Sequence, residues 1–363
     1  MFEEEGKDAE KLACLYTIKV GNQTCGVIGL KSLLWANKRA ELIVYLSKEL
    51  EFDVLKYIIP VAIDKYLKFL SNIGLESIVY NADPEDKFML YLVSNSLLNY
   101  ICTLPYYFED ENGTHSSFLF EYYPKMQKKF SIKCESKMSS KEGSMKLKDL
   151  SDIIREKLKI TIEDDNGIIQ ENLSQKIDEM PKKLPLDDVL FSDSNYRAVS
   201  PQYLTGNEKN INDFVWGYIE ALQNRENLSI PLGEDKYFIQ EGNGKYGASK
   251  QFLNFDYIVL DKNNNFVGYC NRLGTDGRNA RIDIAISPKY QNMGIGTKLL
   301  SCYYDELFRA GYLSVTSYVF DFNEASKKLH DKLATHVGTR KNSYYSYGRL
   351  WDMNIYVKTK FLQ

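Results

Sequence analysis

The sequence predicts an α/β (α+β) chain of two tandem mixed-sheet lobes joined by a polar, partly helical linker. Three observations predict it. A strand-like octet occurs twice, as AELIVYLS (Ala40 to Ser47) and ARIDIAIS (Ala280 to Ser287). Each octet follows a glycine-containing strand signal, CGVIGL or FVGY, and precedes a helix that stops at glycine, FLSNIG at Gly74 and LFRAG at Gly311. Between the halves, residues 125–192 turn polar, as in CESKMSSKEGSMK. A repeated strand, helix, strand, helix order flanked by hairpins requires sheets covered by helices.

Taken in order, AELIVYLS alternates and is rich in strand formers. Val54 to Leu70 reads as a core helix, because Lys56, Asp64, Lys65 and Lys68 interrupt it too often for a membrane span. Glycine at position 74 suits the left-handed residue that closes a helix. LESIVYN is the next strand, a second helix starts at about Glu85, and a tyrosine-rich hairpin closes the first lobe, residues 1–124. In the linker, LKDLSDIIREKLKI reads as one amphipathic helix and MPKKLPLDD as irregular chain. An Asp-Ser-Leu attachment serine is missing there, so the segment reads as a tether rather than a carrier module. The second lobe, 193–363, repeats the order. FLNFDYIVLD alternates as a strand, and a helix begins near Ile295 with Leu299, Leu300, Tyr303, Tyr304, Leu307 and Phe308 on one apolar face. The strand YLSVTSYVF, a helix from about Glu324 and a tyrosine-rich hairpin follow.

Bulk properties exclude some functions. The 363 residues are enough for two domains, and 44% hydrophobic with 26% charged residues is a globular composition. A net charge of −3 speaks against nucleic-acid binding, which needs a basic surface. FEEEGKDAEK after Met1 has neither the basic start nor the apolar core of a secretory signal. Six cysteines scattered without a CxxC pair read as reduced thiols, so the expected location is cytoplasmic. Three histidines without ligand spacing predict no metal site.

Two glycine-rich stretches compete for an anionic ligand. EGNGKYG contains GxGxxG at Gly242, Gly244 and Gly247, but a strand follows it where a dinucleotide fold needs a helix, so it reads as a loop. A P-loop reading of GIGTK fails, since GxxxxGK[ST] is absent. YQNMGIG has the right neighbours, a strand before and a helix from Ile295 after. Unpaired N–H groups at that helix start attract phosphate, and glycines let the anion approach. The alternative reading is a tight strand-to-helix turn.

QNMGIG resembles the Q/R-x-x-G-x-G/A loop of the GCN5-related N-acetyltransferases (GNAT), and NEASKKLHDKL resembles that family's N-x-x-[AS]-x-x-L-[YH]-x-K-L helix. GTRKNSYYSYGRLWDMNIY is similar to the final hairpin of the subgroup acting on protein N-termini and related amines. The resemblance spans about Tyr196 to Lys358. The first half is similar in element order alone, with YLSKELEFD where the glycine loop belongs, so it resembles a degenerate lobe. Ala334-Thr335 replaces the family's Gly-Phe, and His330 replaces its frequent tyrosine.

The resemblance implies an acyl-CoA-dependent N-acyltransferase, with acetyl-CoA or another acyl-CoA as co-substrate and a primary amine of a small molecule or peptide as acceptor. It implies that N–H groups of Gln291, Asn292, Met293, Gly294, Ile295 and Gly296 hold the pyrophosphate. It further implies that N–H groups near Ala285 and Ile286 polarise the carbonyl, where two strands splay, as an oxyanion hole does. Asn323 is the family's cofactor-side asparagine and equally a good N-cap. His330 is either a proton donor to the leaving thiolate or a partly exposed histidine beside Lys328 and Lys332. Tyr344 or Tyr345 are alternative acids. Asp283 is either a base acting through water or a solvent-facing carboxylate, with Glu241 and Asp276 behind it. Asn212 to Glu226 reads as the helix closing the acceptor side, and Trp35, Trp216 and Trp351 as core or rim aromatics. No nucleic acid or membrane partner is expected, while a homodimer remains open. A rival reading is a non-catalytic assembly protein whose lobes recognise a peptide.

Overall fold

The computed structural model describes residues 12–34, 38–110, 113–124, 131–164, 167–170, 181–203, 255–346 and 349–361. By packing, the chain divides into two compact units. Among the described residues no helix is long and apolar enough to cross a membrane.

The first unit is built on β1 (Ala13–Val20), β2 (Gln23–Leu34), β3 (Arg39–Leu46), α1 (Phe52–Asn72), β4 (Ser77–Ala82), α2 (Lys87–Ser94), β5 (Asn99–Asp110) and β6 (Gly113–Tyr122). Its six-stranded sheet runs β1-β2-β3-β4-β6-β5, with β3 and β4 parallel. Leu55, Ile59, Ile63, Leu67 and Leu70 form the inward stripe of α1 and are fully buried. Each such side chain contributes about 1.5–3 kcal/mol.

The expected tether is in part folded. β7 (Ser131–Ser136), α3 (Ser140–Gly143), a 3-10 turn at Leu147–Asp149, α4 (Ser151–Lys157), β8 (Leu158–Asp164) and β9 (Gly167–Gln170) follow, and the three strands form their own sheet. Ile132, Leu150, Ile154, Leu158 and Ile162 join the core of the first unit. The expected single helix over LKDLSDIIREKLKI therefore ends at Lys157, where alternating Leu158, Ile160 and Ile162 favour a strand.

The second unit holds β10 (Val189–Ser192), β11 (Tyr196–Val199), β12 (Tyr257–Asp261), β13 (Phe266–Asp276), β14 (Asn279–Ile286), α5 (Ile295–Arg309), β15 (Ser314–Phe320), α6 (Glu324–Leu333), β16 (Thr335–Ser346) and β17 (Arg349–Thr359). Its eight-stranded sheet runs β10-β11-β12-β13-β14-β15-β17-β16, with β14 and β15 parallel. Leu299, Leu300, Tyr303, Tyr304 and Leu307 of α5 pack with Val259, Val267, Ile282 and Val315.

The duplication expected from sequence is visible bond by bond. Ser47 N–H donates to Cys25 O, and Ser287 N–H donates to Val267 O. Ser77 and Ser314 begin β4 and β15 and donate to Lys38 O and Arg278 O respectively. Both helices end on a left-handed glycine, Gly74 at φ 105° and Gly311 at φ 96°. A Cβ at Gly26 would lie 2.3 Å from Tyr45 O, and one at Gly268 would lie 2.4 Å from Ala285 O.

Neither unit is one contiguous stretch. Residues 340–345 belong to the first and 104–114 to the second. In the first, buried Arg340 bonds Glu121 Oε1 at 2.9 Å and Ser77 Oγ at 3.0 Å. In the second, buried Arg278 bonds Glu109 at 2.9 Å, and Pro105 O accepts from Ser314 Oγ at 2.6 Å.

Candidate active site

The parallel pair β14 and β15 is hydrogen-bonded from Asn279 with Ser314 to Ile282 with Ser317 and no further. β14 nevertheless runs on to Ile286 and β15 to Phe320. The strands therefore part at Asp283, which sequence alone does not reveal. Beyond the split, β14 is held from one side by β13, with Tyr269 opposite Ala285 and Gly268 opposite Ile286. Because Ser287 N–H faces β13, the two-residue alternation turns Ala285 toward β13 as well. Ile286 faces the gap. Of the two expected polarising groups, Ala285 N–H is thus committed to the ladder, and Ile286 N–H points into the split.

From Ile286 the chain passes a short 3-10 turn, Pro288–Tyr290, and reaches the helix start. Asn292 and Gly294 both take left-handed angles, φ 62° and φ 78°. Successive N–H groups in such a turn form a concave anion seat. Among the described residues, the N–H groups from Asn292 to Gly296 find no protein acceptor. No side chain caps α5, and its first turn carries no acid. A Cβ on Gly294 would meet nothing within 4 Å, and one on Gly296 would meet Ile286 and Leu329 at an ordinary 3.6 Å. Packing therefore does not require glycine at 296, and at 294 only the backbone angle does; the space above Gly294 is open. The Gln291 side chain donates to Ile286 O at 2.9 Å and fastens the turn to the end of β14. Met293 is exposed and receives Tyr196 O–H at 3.9 Å.

Asp283 sits at the split, half-buried, on the face opposite Ile282. Tyr269 O–H donates to Oδ2 at 2.7 Å, and Ile284 N–H donates to Oδ1 at 2.9 Å. Desolvation raises its pKa above the usual carboxylate range, against those two donors. A carboxylate with a raised native pKa contributes stability below its unfolded pKa and loses it as pH rises through the native value. Asp283→Asn is therefore expected to melt above the wild type at about pH 7 and level with it near about pH 3, as read by thermal denaturation at both.

His330 is only 2% exposed, not the partly exposed residue that Lys328 and Lys332 suggested. Its Nδ1 lies 2.8 Å from Ser326 O, and a carbonyl can only accept, so Nδ1 carries the proton. Burial lowers its pKa. Nε2 is buried without a hydrogen-bond partner among the described residues, and in this tautomer it must first take up a proton before it can donate one. Asn323 is the N-cap of α6, its Oδ1 accepting from Ser326 N–H at 3.1 Å. Tyr344 and Tyr345 lie on β16, but their side chains fall outside the described residues, as do Trp35, Trp216, Glu241, the GxGxxG stretch and Asn212 to Glu226. Asp276 pairs with Arg281 at 3.0 Å, and Trp351 packs on Phe322 at 4.3 Å. Among the described residues no cluster could hold a metal ion.

The matching helix start in the first unit is closed by its own chain. Phe52 N–H at the start of α1 donates to Met145 O at 3.1 Å, while Leu147 N–H and Lys148 N–H donate to Leu50 O and Lys48 O. Lys146 and Lys148 both grip Glu49, at 3.1 and 2.9 Å. Glu51 and Asp53 add negative charge where an anion would dock. A peptide carbonyl stands where, in the second unit, N–H groups are open. This pairing joins residues far apart in sequence, and no local signal announces it.

Residues 220–334 match the family model described as Acetyltransferase (GNAT) family. A search of curated proteins finds no match. Among solved structures, the chain is similar to RimL, a ribosomal L7/L12 alpha-N-protein acetyltransferase, at 16% identity over 47% of this chain and 93% of that one, TM-score 0.36. It is also similar to the spermidine/spermine N-acetyltransferase SpeG of Vibrio cholerae, at 20% identity over 28% and 63%, TM-score 0.27. A third likeness is to yncA of Salmonella typhimurium, assigned to the acetyltransferases and solved with its cofactor acetyl-CoA, at 19% identity over 42% and 90%, TM-score 0.32. At TM-scores below 0.5 these likenesses do not bear on the chemistry of this chain.

Proposed function

We propose, from the premise that the C-terminal half carries a GNAT-family domain, that this chain is an acyl-CoA-dependent N-acyltransferase. Its acceptor is a primary amine of a small molecule or peptide. The observation that carries this reading is the open seat from Asn292 to Gly296 beside the split between β14 and β15.

Acetyl-CoA, when bound, supplies a thioester for attack. The N–H groups of the Asn292 to Gly296 turn hold its pyrophosphate by charge-assisted hydrogen bonds. Ile286 N–H polarises the acyl carbonyl and stabilises the charge that develops on its oxygen. Asp283 takes one proton from the acceptor ammonium, and the freed nitrogen lone pair forms the C–N bond as the C–S bond breaks. The sulfur leaves with the bonding pair and receives the second nitrogen proton, while Asp283 returns its proton to water. The first lobe has its seat filled by Met145 and acts as a structural partner.

Calorimetric titration with acetyl-CoA tests the reading. One equivalent per chain is expected, and addition of an amine panel should then release free thiol. Zero equivalents would remove the acyl-transfer reading. Two would show that the first-unit seat opens in solution.

A further inference from the structure

The carboxylate at the split is unusual in its company. Arg281, two residues earlier on the same face of β14, is engaged by Asp276 at 3.0 Å. On β13, Asn271 stands opposite Asp283, and Cys270 is a buried thiol whose pKa burial raises. β15 has left the ladder at this level. Among the described residues, no Lys, Arg or His lies within ion-pair distance of Asp283. A carboxylate offers about four lone-pair positions, and Tyr269 and Ile284 occupy one on each oxygen. One position per oxygen stays open for a donor.

Tyr269 is fixed independently of that bond. It is 3% exposed, its backbone pairs with Ala285, and Phe255 stacks on its ring at 4.3 Å with planes 19° apart. The hydroxyl is thereby delivered to Oδ2 by a side chain rooted in a paired, buried strand, and Phe255 only covers one face of its ring.

Resting on the acyl-transfer reading above, we propose that Tyr269 is the positioning residue for Asp283. Its hydroxyl holds the carboxylate in one rotamer and favours the ionised form against desolvation, so that the group meets a cationic amine acceptor as a ready base. The acceptor class follows: an aliphatic ammonium, whose charge suits a carboxylate with no cationic partner among the described residues, over an amine that is neutral in water.

The test uses full-length protein labelled with carboxyl-13C aspartate. Asp283 is identified as the resonance missing in Asp283→Asn and is titrated in the wild type, Tyr269→Phe and Phe255→Leu. Tyr269→Phe keeps the ring and loses the donor, so the midpoint of Asp283 is expected to shift upward from its already raised wild-type position. Phe255→Leu loosens the ring packing but keeps the hydroxyl, and its midpoint is expected to stay near the wild type. Coincident midpoints in wild type and Tyr269→Phe would overturn the proposal. An equal shift in Phe255→Leu would also overturn it, by assigning the effect to packing. Absence of acetyl-CoA binding is a separate result, which removes the acyl-transfer reading whatever the midpoints do.

Discussion

Gly294→Trp abolishes acetyl-CoA binding in a calorimetric titration while the circular dichroism spectrum stays that of the wild type. Two facts set this expectation. Gly294 has φ 78°, which costs a side-chain-bearing residue about 1–2 kcal/mol, tolerable for a folded chain. Its Cβ direction is empty to 4 Å, so a side chain can leave the backbone on the side of the anion seat without an immediate clash. Hydrogen bonds to a charged group contribute about 1.5–3 kcal/mol each, so losing two weakens binding by roughly 100-fold or more. Gly296→Ala is the control, since its Cβ meets Ile286 and Leu329 at 3.6 Å. That variant should fold normally and bind more weakly than wild type, but measurably. Undiminished affinity in Gly294→Trp would mean that the turn is architecture alone.

The largest stability effect is expected at Arg340→Ala. Arg340 is 3% exposed and Glu121 is fully buried, and the guanidinium also reaches Ser77 Oγ. Removing one partner of a buried ion pair strands the other, at a cost of about 3–5 kcal/mol. Urea denaturation should show a midpoint lowered accordingly, or outright unfolding. The double variant Arg340→Met with Glu121→Leu should recover most of the loss, because an apolar pair of similar volume needs no counter-charge. A double variant no more stable than Arg340→Ala would refute that account and point to lost packing.

Much of this architecture was legible because its signals are local. Alternation gave β14 and β12, glycine stops gave the ends of α1 and α5, and the octets gave the duplication. The parts that were not legible depend on contacts between distant residues. The split at Asp283 exists because β15 stops pairing after Ser317, which neither strand's composition encodes. The plug on α1 pairs residue 52 with residue 145. Lys328 and Lys332 mask the burial of His330, although Asn323, Ser326, His330 and Leu333 share helical spacing on one face. The strand β8 is hidden in the sequence because a good helix runs directly into it.

The exchange of residues 104–114 and 340–345 has a consequence for how this protein is made. A nascent chain emerges at about 5–20 residues per second and ordinarily folds each domain as it appears. Here the first unit lacks the buried partner of Glu121 until Arg340 has been synthesised. Residues 104–114, meanwhile, have no Arg278 to bind until the second unit exists. The first-made half therefore cannot complete its buried ion pair, nor reach the stability that pair confers, until residue 340 has been made.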